Sequence, residues 1–277
     1  MVSHPKPYHL DDFLSVSLLL YKYPGAVHRV ARNRDDVYRI LEEEKPDLAI
    51  VVDVGERYDV GEKVRWYDHH QDASLPCSLV LVLRHEFPDL YRKILEVEPL
   101  RKMLQYLDTR DRFGVDRANE VLGIRDPIDL MRYLPTIFLT EPSPEVGKNF
   151  VKLVEAFYRA KERARVLNVD GVKVAIIDLD QREVPASVVF DVTGADLLIQ
   201  RNSRNPRHTN VMKNNRSPLY DKIDLSKLAR MYPIVFLHKN GFLAVLDVPI
   251  ESLSRRDIED IVRTILAIKE NKEMIEA

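Results

Sequence analysis

The sequence predicts an α/β protein of two domains. An N-terminal parallel-sheet domain is expected over residues 1–140 and a smaller C-terminal α/β domain over 170–277, joined by a helix within 141–169. Three observations predict this. The chain has 277 residues, more than one ordinary domain, and 45% of them are apolar, enough to fill sizeable cores. In the first half short β-branched runs alternate with helical patterns, the signature of a layered, mostly parallel sheet. Near residue 140 the texture breaks at Thr140-Glu141-Pro142-Ser143-Pro144, a cluster that neither helix nor strand accommodates.

The elements follow in order. Ala26 to Val30 reads as a strand, and Arg34 to Glu44 as a helix with Val37, Ile40 and Leu41 on one face. Leu48 to Val52 is continuously apolar, as a strand covered on both sides must be. Val64 to Tyr67 is a further strand, followed by helical patterns over Ser78–Phe87 and Pro99–Leu107. After the breaker cluster a long amphipathic helix carries Phe150, Val154, Phe157 and Tyr158 on one side. Beyond Gly171 strands are expected at Val172–Ile177, Ser187–Phe190, Leu197–Ile199, Ile234–Leu237 and Phe242–Leu246, with a closing helix over Ser254–Glu270. No internal repeat is visible.

Composition narrows the function. With 42 basic against 44 acidic residues, a net of −2, the chain does not bind nucleic acid by bulk charge, so a polyanion would need a local basic patch. The single cysteine, Cys77, excludes internal disulfides and thiolate-rich zinc sites; it reads as a small buried side chain. The longest apolar stretch, Ser78 to Leu83, is far too short to span a bilayer, and the start lacks a signal-peptide pattern. A cytoplasmic protein without membrane contact is expected.

Acids and histidines gather at the expected C-terminal ends of the first-half strands, where open parallel sheets place their sites. The groups are His4 to Asp12, with His4, His9, Asp11 and Asp12; Asp53 with Val54-Gly55; Asp68-His69-His70-Gln71; and Asp108-Thr109-Arg110-Asp111. Singly, each is unremarkable, since a carboxylate ending a strand commonly caps a helix or anchors a loop. Together, imidazoles and carboxylates without thiolate suit Mn²⁺, Zn²⁺, Fe²⁺ or Mg²⁺. Two such ions with a shared carboxylate are a standard device for attack on phosphate.

The triplet Asp68-His69-His70 resembles the signature of the DHH phosphoesterase superfamily. Within it the pattern is most similar to the Myg (melanocyte-proliferating-gene) exonuclease family. His4, His9, Asp11 and Asp12 stand at that family's opening spacing. Val51-Val52-Asp53-Val54-Gly55 with Tyr58-Asp59 resembles its second motif, and Tyr67 to Gln71 its third. His238-Lys239-Asn240-Gly241-Phe242 resembles a late His-x-x-Gly-Phe pattern. The chain departs from the family at Pro5-Lys6, and again after Asp111, where Arg112-Phe113-Gly114 replaces Asn-Gly.

The resemblance implies that residues 1–140 form a two-metal catalytic domain. One ion would be held by His4, His9 and Asp53 and the other by Asp11, Asp53, His69 and Asp108, with Asp53 bridging. Asp108 is expected over Asp111 because Asp-Thr resembles the ligand dipeptide of the pyrophosphatase branch. A water shared by the ions would lose its proton and attack phosphorus. His70 would face the phosphate and Asp68 would orient a histidine; Asp12 would either support a metal ligand or, as favoured here, cap a helix starting at Phe13. Manganese is the expected metal, with magnesium or zinc as alternatives.

The second half is expected to grip the substrate. From Leu197 through Tyr220 there is no acid, yet the run holds Arg201, Arg204, Arg207, His208, Lys213 and Arg216 with five interleaved asparagines. Guanidinium forks and amides suit phosphates, sugars and base edges. His238 and Gly241 could present an imidazole and bare backbone to a chain end, although Asn240-Gly241 equally favours a tight hairpin. The expectation is an exonuclease on single-stranded RNA, with DNA second and 3′-to-5′ polarity from the resemblance alone. A small-phosphoester hydrolase and a non-catalytic RNA-binding protein are the alternatives.

Overall fold

The computed structural model describes residues 1–122, 133 and 141–266. The chain divides into two compact units, Met1–Glu155 and Ala156–Ala277, so the division falls inside the long helix rather than at its ends.

The first unit is built on a five-stranded sheet. Its strands are β1 (Val2–Ser3), β2 (Arg29–Val30), β3 (Ala49–Val52), β4 (Tyr58–Val60) and β5 (Val64–Tyr67), in the order β2-β1-β3-β5-β4. All pairs are parallel except β4 on β5. Its helices are α1 (Leu10–Lys22), α2 (Arg34–Glu44), α3 (Ser78–Glu86), α4 (Pro88–Glu96), α5 (Glu98–Phe113), α6 (Val115–Leu122) and the first part of α7 (Pro144–Arg163). The apolar run of β3 is apolar throughout because both its faces are covered. Ile50 and Val52 pack with Val16, Leu19, Tyr67, Leu81 and Val82 on one side; Val51 packs with Val37, Val54 and Trp66 on the other.

The expected strand at Ala26–Val30 shrinks to two exposed residues at the sheet edge. The brief β1 is instead inserted between β2 and β3. Helix α1 begins earlier than expected, with His9 at its N-cap position, so Asp12 lies in its first turn and is not a cap.

A charged knot closes the far end of this unit. The Glu86 side chain is wholly buried and accepts hydrogen bonds from Lys22 Nζ (2.7 Å), Tyr23 OH (2.8 Å), Arg65 Nη1 (2.6 Å) and Tyr67 OH (2.8 Å). Burial opposes its ionisation, yet these four donors bring the carboxyl down to about 2.

Gly147 explains itself by proximity. A Cβ there would sit 2.2 Å from the Ser17 carbonyl oxygen, because α7 crosses α1 backbone to backbone. Glycine inside a helix ordinarily costs about 1 kcal/mol relative to alanine, but here alanine forces the helices apart. Gly147→Ala is expected to destabilise by about 1–3 kcal/mol, read as a lower urea midpoint; an unchanged or higher midpoint would refute the close-approach account.

The second unit is a six-stranded sheet in the order β10-β11-β9-β8-β7-β6. The strands are β6 (Arg165–Val169), β7 (Val172–Ile177), β8 (Leu197–Arg201), β9 (Thr209–Lys213), β10 (Ile234–Leu237) and β11 (Leu243–Leu246). Only β7 with β8 is parallel. That pairing requires a crossover, and it corrects one expectation: Ser187–Phe190 is not a strand but part of helix α8 (Ala186–Thr193). Pro185 at its start and left-handed Gly194 at its end are the punctuation of a helix. The terminal helix α9 (Arg255–Leu266) buries Ile258, Ile261, Val262 and Ile265 against this sheet, a clean helical spacing. The remainder of the expected closing helix lies outside the described residues. Among the described residues no helix is long and apolar enough to cross a membrane.

Candidate metal centre

Parallel register brings the site together. Ser3 pairs with Val52 and Val52 with Tyr67, so His4, Asp53 and Asp68 leave three adjacent strands at one level. Asp53 turns out of β3 with a left-handed backbone, φ 55°, a conformation that aspartate tolerates better than most residues. Gly55 follows close under Trp66, where a Cβ would meet the indole at 2.6 Å. Asp11 and Asp12 come from the first turn of α1, where the helix dipole favours negative charge. Asp111 arrives from the last turn of α5.

The cluster that results is Asp11, Asp53, His69 and Asp111, each offering a ligand atom within 4.8 Å of the others. His69 Nε2 lies 2.8 Å from Asp111 Oδ2 and 3.5 Å from Asp53 Oδ1. Neither His69 Nε2 nor Asp111 Oδ2 is aligned for a hydrogen bond despite that approach, and both carboxylate oxygens of Asp11 and of Asp12 are buried with no partner among the described residues. Buried, unpaired carboxylates are costly. The unpaired carboxylates beside the His69–Asp111 pair give a donor set of imidazole plus carboxylate that fits a divalent cation. A second group, Asp53, His69 and His70, shares two of these residues.

Electrostatics agree. Burial, then Asp53 and Asp111, pushes the Asp11 carboxyl well above its ordinary value. Burial and Asp53 bring Asp12 up to about 8. Burial opposes protonation of His69, but Asp111 and Asp53 outweigh it and raise the imidazole to about 10. Without a cation, then, this protein must hold protons where its geometry offers metal ligands.

Asp108 is the main departure from expectation. Its Oδ1 accepts the Cys77 N–H (2.7 Å) at the start of α3, and its Oδ2 pairs with Arg112 Nη1 (3.1 Å). It satisfies a helix terminus, while Asp111, three residues on, meets the cluster. His4 and His9 also stand off: their rings stack at 6.4 Å, and His9 reaches the cluster only through Asp111, Nδ1 to Oδ1 3.5 Å. His70 is half exposed, with Nδ1 2.6 Å from Asp68 Oδ1. Asp68 is buried and also accepts the backbone N–H groups of His70 (3.1 Å) and Glu56 (2.7 Å). These bonds overcome burial and hold its carboxyl below the usual value, and Asp68 in turn raises His70. Asp68 therefore orients His70 and fixes its tautomer. Ser78 Oγ donates to Asp53 Oδ1 (3.1 Å), a contact no motif announces.

In the second unit the basic run forms a hairpin, β8 to β9. Arg201 pairs with Glu251 and Arg216 with Asp191. Lys213 Nζ donates to the Tyr220 and Ile223 carbonyls, and His208 Nε2 contacts Asn205 Nδ2 (3.0 Å) and Asp247 Oδ1 (3.3 Å). Asn202 and Asn205 accept the loop's own backbone N–H groups, so they build the turn. Arg204 and Arg207 project from it, exposed. His238 and Gly241 form the hairpin turn between β10 and β11, where the Gly241 N–H reaches the His238 carbonyl (2.7 Å) with φ 66°.

No curated protein matches the chain. Among solved structures it is similar to a pGpG-specific phosphodiesterase from Vibrio cholerae, at 13% identity, 95% coverage of this chain and 97% of that one, and TM-score 0.32. It is also similar to an uncharacterized protein from Helicobacter pylori G27, at 12% identity, coverages of 96% and 98%, and TM-score 0.25. The resemblance drawn from the motifs has its counterpart in a family model: residues 1–75, which hold His4, His9, Asp11, Asp53 and the Asp68-His69-His70 triplet, match MYG1_exonuc, an uncharacterised protein family (UPF0160).

Proposed function

We propose that the protein is a divalent-metal-dependent phosphodiesterase that trims single-stranded nucleic acid from an end, RNA in preference to DNA. The observation that carries this is the buried group Asp11, Asp53, His69 and Asp111, whose ligand atoms lie within 4.8 Å of one another while both Asp11 oxygens have no hydrogen-bond partner among the described residues. The exonuclease label of the family matched over residues 1–75 supports the substrate class.

Asp11, Asp53, His69 and Asp111 would hold one cation, and Asp53 with His69 and His70 a second. Such cations supply Lewis acidity and an acidified water at neutral pH. The protein's own contribution is orientation. Asp68 locks the His70 ring, and Ser78 fixes one Asp53 oxygen. Manganese is the metal we assign first.

Chelation is expected to abolish turnover, and added Mn²⁺ to restore it, on a single strand labelled at its 5′ or 3′ end. Persistent activity in EDTA would refute the proposal. A ladder shortening from one labelled end gives polarity and sugar preference together. One observation favours the small-phosphoester alternative: most of the basic run is already engaged by the unit's own acids and carbonyls. Equal rates on dinucleotides and long strands would select that alternative.

A further inference from the structure

We infer that Arg110 is the phosphate clamp of this site, and that the cavity beside it admits one phosphoryl group; this rests on the phosphodiesterase proposal above. The cavity, about 230 Å³, is bounded by Tyr8, His9, Asp11, Arg110 and Asp111 with an apolar wall of Leu107 and Val115. It therefore opens onto two of the four clustered residues. It is smaller than the roughly 300–1,000 Å³ of pockets that enclose whole small molecules, so it suits a phosphoryl group and its immediate neighbours, not a base.

The charge balance singles out Arg110. A phosphodiester is anionic and must approach a site crowded with Asp11, Asp53 and Asp111. Among the described residues Arg110 is the one Arg or Lys lining this cavity. It sits in the last turn of α5, directly before Asp111, so the helix fixes its Cα relative to the cluster. Its neighbour Arg112 is occupied, pairing with Asp108 and donating to the Ala73 carbonyl (2.7 Å). Among the described residues Arg110 has no ion pair or side-chain hydrogen bond; it is exposed and lines the cavity. A planar fork of donors matches two oxygens of one phosphate.

The test uses the full chain loaded with Mn²⁺, titrated with inorganic phosphate by calorimetry, as wild type, Arg110→Met and Arg110→Lys. Mn²⁺ affinity and melting temperature are measured alongside. Arg110→Met is expected to weaken phosphate binding by about 10- to 100-fold, the loss of a charge-assisted fork. Arg110→Lys should fall between, with Mn²⁺ affinity and melting temperature unchanged in both. Equal phosphate affinity in wild type and Arg110→Met overturns the inference and leaves the hydrolase proposal standing. A parallel loss of Mn²⁺ affinity also overturns it, since Arg110 would then support the metal and not the substrate. Phosphate binding that depends on Arg110 in a protein that cleaves no phosphodiester keeps the clamp and sinks the hydrolase proposal. Loaded wild type that binds no phosphate overturns the clamp.

Discussion

Asp53→Asn is expected to lower kcat by about a thousandfold or more, equivalent to about 4 kcal/mol of barrier. Asp53 belongs to both candidate ligand groups, so one neutralised oxygen weakens two sites at once. Asparagine keeps the shape, the bond from Ser78 and tolerance for the left-handed backbone at this position, so the variant isolates charge from folding. Two companions sharpen the result. Asp111→Asn should lose both bound metal and rate. Asp108→Ala should keep metal and cost about 1 kcal/mol of stability, as for a lost helix-terminal acceptor. Metal content by atomic emission, initial rates and melting curves separate the three. A fully active Asp53→Asn enzyme would remove the proposed centre, and an inactive, metal-free but stable Asp108→Ala would return the ligand role to Asp108.

Glu86→Gln carries the second large effect, on stability. It leaves Lys22 and Arg65 facing a neutral amide at a buried position, a change that ordinarily costs about 3–5 kcal/mol, or about 10 °C in melting temperature for a unit of this size. The pH dependence has a definite sign. The folded carboxyl titrates at about 2, below the ordinary 4.5. Its ionic contribution, about 3 kcal/mol from the size of that shift, is fully present above pH 4.5 and disappears as the pH falls toward 2. The gap in melting temperature between wild type and Glu86→Gln should therefore narrow across that window. A gap that stays constant from pH 6 to pH 3 would mean that the knot stabilises by packing alone.

Much of the first unit was legible because burial on both faces leaves a plain trace. The runs at Leu48–Val52 and Val64–Tyr67 and the helix Arg34–Glu44 appear within a residue of their expected ends. Ser187–Phe190 was not legible, since three consecutive apolar residues fit a strand or a helical turn equally. The crossover demanded by parallel β7 and β8 decides it, and that pairing is a long-range fact. The motifs pointed to Asp11, Asp53 and His69, and a dipeptide likeness favoured Asp108, whereas Asp111 is the one that meets the cluster. A dipeptide likeness says nothing about which helix face meets a cluster, whereas one helical turn separates a helix-end acceptor from a site carboxylate. The internal pairing of the basic run was not legible either. Its partners Glu251 and Asp191 lie far away in sequence, and its asparagines fold their own loop.

The level at which the parallel strands end has a practical consequence. Asp53 and Asp68 stand side by side only because Val52 is paired with Tyr67. A slip of one residue would shift one carboxylate by about 3.3 Å and turn alternate side chains to the wrong face. Tyr67 would leave its core and Asp53 its partners together. Faulty pairing thus has no mild version here: a chain that folds wrongly also loses its ligand set, and the fraction of a preparation able to capture a cation doubles as a count of correctly assembled sheets.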